Sequence, residues 1–416
     1  MQSKLIFKAL VAVGSLALGL NGNAAEQVAF NFSFGTGAAT PGHIPVAPTN
    51  RYSPETGFGF EPGAAITAGD DSCASAKPFY FSVKLPEGNY LVTVRLGGTA
   101  GGSTNTVKSE LRRLMLENIS TAPGQFATRT FAVNVRTPKI AGGGEVHLKE
   151  REQTSELWAW DEKLTLEFNG TQPRVSTLEI KRADDLPTVY LLGDSTVCDQ
   201  PKEPWNSWGQ MLPRFFSPGV AIANHAESGE TLRSSLGSKR LDKVLSTMKK
   251  GDYLFVQFGH NDMKDRATNA VAVYKANLKK FIAGAREKGG VPVLVTSMER
   301  KNGVDHDTLD GYPAAVREVA KEENVALIDL HAVSKTFYNA LGRQIDLAFQ
   351  DGTHHNNYGS YELAKCIVEG IKQNKLGLTK SIRDDFTGFD PAHPDPVETF
   401  EMPASPGSIG ARPLGD

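Results

Sequence analysis

The pattern of the chain changes character once, near Asp184-Asp185-Leu186-Pro187, and that change limits the folds open to it. Ahead of it, from Val28 to about Arg182, short runs alternate apolar and polar residues between glycines and prolines. They include Val28-Ala-Phe-Asn-Phe, Phe79-Tyr-Phe-Ser-Val-Lys-Leu, Tyr90-Leu-Val-Thr-Val-Arg-Leu, Phe131-Ala-Val-Asn-Val and Leu164-Thr-Leu-Glu-Phe. A period of two gives each strand one buried face, and many such short strands predict a β-sandwich. Beyond the change, apolar runs at 189–192, 220–224, 253–258, 291–296 and 325–329 alternate with helical periods around 238–249, 270–288, 313–322 and 358–374. Continuously apolar strands with helices between them predict an α/β domain, its parallel sheet covered on both faces. Residues 26–184 and 187–376 are therefore expected to form separate domains. The proline-rich stretch 377–416 is expected either to strap across the second domain or to hang loose. Gly88-Asn89 and Asn169-Gly170 read as hairpin-style turns. Trp158 and Trp160, two apart ahead of a strand, are expected on one face, in the core or as a platform for a sugar.

The 416 residues, 40% hydrophobic and 22% charged, suffice for two separate cores. A net charge of -2 gives no electrostatic reason to expect nucleic acid or an anionic membrane surface as partner. Lys4 and Lys8, the apolar run from Ala9 to Leu20 and Asn-Gly-Asn-Ala-Ala have the layout of a signal peptide over residues 1–25, cleaved near Ala24 or Ala25. The apolar run is short for a membrane span, and no cysteine near the cleavage point offers a lipid anchor. An exported soluble protein, secreted or periplasmic, is expected. Cys73, Cys198 and Cys366 are odd in number and lack metal-site spacing; a Cys198–Cys366 bridge stands beside buried free thiols as a possibility.

Four polar clusters fall at strand ends of the second domain: Gly193-Asp-Ser195, Asn224-His-Ala-Glu-Ser-Gly229, Gly259-His-Asn261-Asp262 and Asp351-Gly-Thr-His354. Each alone reads as a turn, a cap or a satisfied histidine. Together they form a hydrolytic set, since open parallel sheets bind ligands beyond the carboxyl ends of their strands. A serine hydroxyl becomes nucleophilic beside a base, which assigns Ser195 as nucleophile and His354 as base. A carboxylate on the other imidazole nitrogen selects the productive tautomer, a role for Asp351. The backbone N–H groups of Ser195 and Gly229 and the side-chain amide of Asn261 are the oxyanion donors. Asp194 is expected to shape the serine turn. Trp205, Asn206, Trp208 and His260 are the candidate substrate contacts, with core packing the alternative for the tryptophans. No metal or other cofactor is expected, because Gly-Thr-His354-His355 lacks a helical His-x-x-x-His pair; His355 has no assigned role.

These blocks resemble the GDSL, or SGNH, hydrolases in residue and order, and no Gly-x-Ser-x-Gly elbow is present. Gly193-Asp-Ser-Thr-Val197, the tract from Glu203-Pro-Trp-Asn to Pro213, and Asp351-Gly-Thr-His with Asn357-Tyr-Gly are similar to rhamnogalacturonan acetylesterases. Pro41-Gly-His-Ile44, Tyr52-Ser-Pro and Gly57-Phe-Gly-Phe60 resemble the galactose-binding-like, jelly-roll sandwich ahead of some bacterial members. The resemblance implies a three-layer α/β/α, flavodoxin-like hydrolase domain. It also implies a serine esterase that deacetylates plant-wall polysaccharide, pectic in the first place, through an acetyl-enzyme. Acetylxylan or general carbohydrate acetylesterase activity is the nearest alternative. A lipase would want an apolar acyl groove, and a carbohydrate-binding protein with an inactive esterase domain is the alternative of another class. The expected partner is an acetylated polysaccharide, with no nucleic acid and no membrane insertion. One departure stands out: Ser228-Gly229-Glu230-Thr231 replaces the Ser-Gly-Arg-Ser of such esterases, exchanging a cation that could meet an acidic sugar for a carboxylate.

Overall fold

Every residue of the strand Thr188–Gly193 is buried, which requires cover on both of its faces. In the computed structural model, which describes residues 29–406, the expected signal peptide lies outside the described residues, as does 407–416. The strand pairs in parallel with Ala221–Asn224 on one side and Tyr253–Gln257 on the other, and Val291–Val295 and Ala326–Ile328 extend the sheet. Numbered by sequence, these five strands run 2-1-3-4-5, the flavodoxin-like order. Successive side chains of a strand point to opposite faces. Val189, Leu191 and Phe255 accordingly join a core with Trp208, Phe337 and Ile367, whereas Tyr190, Leu192 and Val256 join another with Leu278, Phe281 and Val316. The expected helices stand at Arg240–Thr247, Ala270–Glu287, Tyr312–Glu322 and Asn357–Gln373. A further helix, Leu330–Leu341, escaped the periodicity because Asp329 is both the end of an apolar run and its N-cap, accepting from the Ala332 amide.

The front half is two facing sheets. Phe126–Val135, Gly88–Gly97, Arg174–Arg182, Ala29–Phe34 and Ile44–Val46 lie side by side in one, and Phe58–Phe60, Phe79–Lys84, Lys163–Asn169, Ser103–Ser109 and Arg113–Thr121 in the other. Between them Phe81 meets Phe32 and Phe34 edge to face, with ring centres 5.4 and 5.0 Å apart. Here two sequence expectations are corrected. Gly88-Asn89 and Asn169-Gly170 are not hairpin turns, because the strands on either side of each belong to different sheets. Gly170 (φ +115°) lets the chain step across where a Cβ would lie 2.3 Å from the Thr104 carbonyl oxygen. Trp158 and Trp160 meet one apolar cluster with Leu111, Val146 and Ala159, Trp160 inside it and Trp158 packed at its edge. They lie in and just after a 3-10 turn, Leu157–Ala159, so the strand alternation does not apply. Trp160 is buried and donates to Glu152 at 2.9 Å, while Trp158 packs on Tyr80.

Cys73, Cys198 and Cys366 are all free and buried, and Cys198 and Cys366 form no bridge. Of the two readings of the C-terminal stretch, the described part is the ordered strap. Phe400 packs on Tyr358 and Tyr361, and the Tyr358 hydroxyl donates to the Asp395 carbonyl at 2.7 Å. Farther on, Lys108 of the sandwich donates to the Pro403 carbonyl (2.9 Å) and the Ser405 hydroxyl (2.7 Å), and the Ser405 amide donates to Glu203 (3.0 Å). No helix among the described residues is long and apolar enough to cross a membrane.

Lys108 is 2% exposed and lies 3.7 Å from both Glu167 and Glu203. Removing one partner of a buried pair leaves the other charge uncompensated. Lys108→Met is expected to cost about 3 kcal/mol in urea unfolding and to speed proteolysis near Pro403; unchanged stability would show that the strap is not held by this cation.

Candidate active site

The turn after Thr188–Gly193 is built by Asp194. Its Oδ1 accepts from the Thr196 amide (3.0 Å) and hydroxyl (2.7 Å), and its carbonyl accepts from the amides of Val197 and Cys198. Glycine is required at 193, since a Cβ there would sit 2.6 Å from a Val197 methyl and 2.7 Å from the Gln257 carbonyl oxygen. Asp194 is fully buried. Burial acts to raise its pKa, but His260, whose Nδ1 lies 3.5 Å away, and Thr196 outweigh it and hold the carboxyl below its ordinary value.

This turn brings the Ser195 hydroxyl 2.8 Å from His354 Nε2, to which it donates. His354 Nδ1–H donates to Asp351 Oδ2, also at 2.8 Å, the tautomer being the one these partners select. Asp351 Oδ1 accepts from the amides of Thr353 (2.8 Å) and His354 (2.7 Å). Burial would raise the Asp351 pKa, yet the His354 ring and these amides hold it far below the ordinary carboxylate range. One short loop therefore delivers the whole acid–imidazole pair. His355, left without a role by sequence, faces inward. Its Nε2 shares a 2.8 Å hydrogen bond with the Tyr338 hydroxyl, and burial, with the neighbouring His354, pushes its pKa down to about 3.

The second and third clusters follow the two strands that neighbour the serine strand. Gly229 has φ +75°, and within the described residues neither its backbone N–H nor that of Ser195 donates to another group. Asn261 Nδ2 donates to the Glu230 carbonyl at 3.2 Å, and its Oδ1 accepts from Lys264 at 3.1 Å, which fixes the orientation of the amide. Gly259 lets this loop pass Ser297, whose hydroxyl would lie 2.7 Å from a Cβ at 259. Both loops follow strands that pair with the serine strand on either side, which makes these three donors the candidates for meeting an oxyanion.

The loop that carries Gly229 is gripped from the sandwich, through residues that sequence did not single out. Arg151 Nε donates to Glu227 at 2.6 Å. Lys149 Nζ donates to the Ser228 carbonyl at 2.6 Å and pairs with Glu230 at 2.9 Å. Behind them Arg240 pairs with Glu152 at 2.6 Å. The only trace of this grip in the sequence is the charge run Lys149-Glu-Arg-Glu152, which reads as a solvated face. It also corrects the expectation for Glu230. That side chain is 1% exposed and neutralised by Lys149, so it presents no carboxylate to a substrate.

The substrate contacts expected from sequence are mostly redirected. Trp205 stays beside the site, half-buried, with Nε1 3.4 Å from Asp351 Oδ2. Trp208 is a core residue whose Nε1 donates to Gln257 at 2.8 Å. Asn206 is buried and donates to Asn357 at 2.7 Å. His260 is buried too, with Nε2 3.0 Å from the Met298 carbonyl oxygen. The cause is local: Ser207 caps the short helix Trp208–Met211 and turns the tract into the layer beneath the sheet. Arg300 was also missed; it donates to Thr353 (3.1 Å) and to the His260 carbonyl (3.3 Å), placing a cation next to the His354 loop. Among the described residues, Glu299, Asp307 and His331 are the set whose potential metal-ligand atoms lie within 4.8 Å of one another, and His331 and Glu299 already bond each other at 3.1 Å.

Asn261→Ala is expected to lower kcat about a hundredfold on a small acetyl ester with the fold intact; a loss under about threefold would remove Asn261 from the oxyanion set. Its neighbour Asp262 gives a pH signature. Burial pushes the Asp262 carboxyl up to about 7, although the Leu232 amide donates to it at 3.0 Å. The unfolded group titrates near 3.9, so between about pH 4 and 7 the folded protein holds a proton that the unfolded chain has released. That contribution to stability is full below the unfolded value and is lost as pH rises through the folded one. Asp262→Asn should therefore lose less stability than the parent between about pH 5 and pH 8 in urea unfolding; parallel pH dependences would refute the assignment.

Comparison with known proteins places this geometry in a family. The sequence profile of the GDSL-like lipase/acylhydrolase family matches residues 191–360, which include every block described above. Rhamnogalacturonan acetylesterase RhgT of Bacillus subtilis is 40% identical over 212 residues, covering 46% of this chain and 90% of that protein. The uncharacterised esterase YxiM of the same organism is 29% identical over 387 residues, 86% of this chain and 94% of its own, so the likeness extends through the sandwich. A rhamnogalacturonan acetylesterase of Emericella nidulans is 26% identical over 231 residues, 48% of this chain and 91% of that one. With a catalytic-type cluster at the strand ends and a relative matched over nearly its full length, this chain is a carboxylic ester hydrolase and belongs to the GDSL-like lipase/acylhydrolase family.

Proposed function

We propose that this ester hydrolase is an exported carbohydrate acetylesterase that removes acetyl groups from pectic polysaccharide, with acetylated rhamnogalacturonan as its substrate. The observation that carries the reading is the pair of 2.8 Å hydrogen bonds linking Ser195, His354 and Asp351. Ser195 Oγ attacks the acetyl carbonyl carbon as its proton passes to His354 Nε2, and the imidazolium is stabilised by ionised Asp351. The carbonyl oxygen, now anionic, is met by the amides of Ser195 and Gly229 and by Asn261. Collapse expels the sugar hydroxyl, which takes the proton from His354 and leaves acetyl on Ser195. Water, deprotonated by the same imidazole, then releases acetate and restores the serine.

The substrate class rests on the likeness to the rhamnogalacturonan acetylesterases of Bacillus subtilis and Emericella nidulans. The surroundings agree with an acidic glycan. Glu230 is withdrawn from the site by its pairing with Lys149, Arg300 brings a cation next to the His354 loop, and Trp205 offers a half-buried ring beside Asp351. Export rests on the basic, apolar and small-residue order of the first 25 residues.

Acetate release from acetylated rhamnogalacturonan, xylan and mannan tests the reading. The pectic substrate should be fastest, and Ser195→Ala should lose at least about a thousandfold in kcat. Faster release from xylan would overturn the pectic assignment, and activity equal to wild type in Ser195→Ala would overturn the serine mechanism.

A further inference from the structure

We infer that the cleft between the sandwich and the parallel sheet is a second binding site, built for a small hydroxylated carboxylate of about monosaccharide size. The cleft has a volume of about 380 Å³ and is lined by Asn134, Arg136 and Arg182 from the sandwich and Tyr190, His225 and Lys249 from the other half. That volume is at the lower end of small-molecule sites. No member of the Ser195 triad or of the oxyanion set lines it, so the inference is independent of the esterase reading.

Its chemistry is set by groups left without partners. Arg136 is 4% exposed, and its Nε and Nη1 have no hydrogen-bond partner among the described residues. It rests on the Trp160 ring, 4.4 Å from the centroid, and burial with the nearby Arg113 pushes its pKa down to about 9. Of the carboxylates around it, Asp199 pairs with Arg113, Glu152 with Arg240 and Glu87 with Lys243, each at 2.6 Å, while Glu110 forms no ion pair with it and accepts from the Thr165 amide at 3.3 Å, burial pushing its carboxyl well up. The other cations of the cleft are also occupied, Arg182 with Asp184 and Lys249 with Asp252. A buried, unpaired guanidinium is costly to the folded state, and its planar fork is the best geometric match a side chain offers to a carboxylate.

Two further groups define the rest of the ligand. His225 is 1% exposed with Nδ1 unpartnered, and burial, followed by Arg136, keeps it neutral. Asn134 donates from Nδ2 to Asn89 Oδ1 at 2.8 Å, and Asn89 in turn donates to Thr188 at 2.8 Å, so the chain of donors fixes the amide and leaves Asn134 Oδ1 as a buried, unpartnered acceptor. An acceptor of that kind calls for a hydroxyl, and the fork for an anion. A bare halide or acetate supplies only the second, a neutral sugar only the first.

Thermal unfolding of the full chain in D-galacturonate, D-galactose, acetate and matched sodium chloride tests the site. Galacturonate should raise Tm saturably by a few degrees, galactose and chloride should not, and acetate should bind several-fold more weakly. Arg136→Met should keep or raise the unliganded Tm, because it removes an unpaired buried charge, and should lose the galacturonate response. Asn134→Leu should weaken galacturonate several-fold with little change for acetate, and it serves as well if the first variant does not fold. The inference is overturned by no saturable shift with galacturonate, by an equal shift with galactose, or by a full response retained in Arg136→Met, which would place the ligand at the Ser195 site.

Discussion

Buried charge is the constraint on which the arrangement depends. Glu227 and Glu230 flank Gly229 in the loop after Ala221–Asn224 and are 4% and 1% exposed. Carboxylates so far from water are tolerable only when paired and hydrogen-bonded. Their cations come largely from the sandwich, as Arg151 and Lys149, with Arg240 and Glu152 closing the cluster behind. The loop that carries the Gly229 amide, a candidate oxyanion donor, is thereby held by a network spanning both halves of the molecule. The front sheets are consequently part of the site's architecture, and the C-terminal strap ties the same halves together from the other side through Lys108 and Glu203.

The candidate reacting groups are positioned by sheet geometry. Strand order reverses between the neighbours of Thr188–Gly193, and in such sheets a crevice opens beyond the carboxyl ends. Ser195, Gly229 and Asn261 all follow strands at that end, and the Asp351–His354 loop closes over them. Glycines at 193 and 259 permit approaches that a Cβ would forbid. Rigid strands and buried turns thus hold the Ser195–His354 distance at 2.8 Å, a separation that flexible loops alone would hold poorly.

Much of this was legible in one dimension, and the failures follow a pattern. The parallel strands appear where the apolar runs stand, because a strand buried on both faces has no polar alternation to obscure it. The hairpin reading of Gly88-Asn89 and Asn169-Gly170 failed because a turn dipeptide reports local backbone conformation and says nothing about which sheet receives the next strand. Trp208, Asn206 and His260 were read as substrate contacts because aromatic and polar residues near a nucleophile look alike whether they face out or in. Ser207 capping and the bonds to Gln257, Asn357 and Met298 turn them inward.

The sequence by itself determined the fold class and the placing of polar clusters at strand ends, since hydrophobic period and strand-end composition are local properties of the chain. Tertiary structure decided what depends on contacts between distant segments. It withdrew Glu230 from the site by pairing it with Lys149, gathered Arg151 and Arg300 around the reactive loops, and left Arg136 buried and unpaired at the cleft. Charge pairing is set by three-dimensional proximity and by the loss of water on burial, and neither is written in the order of the residues.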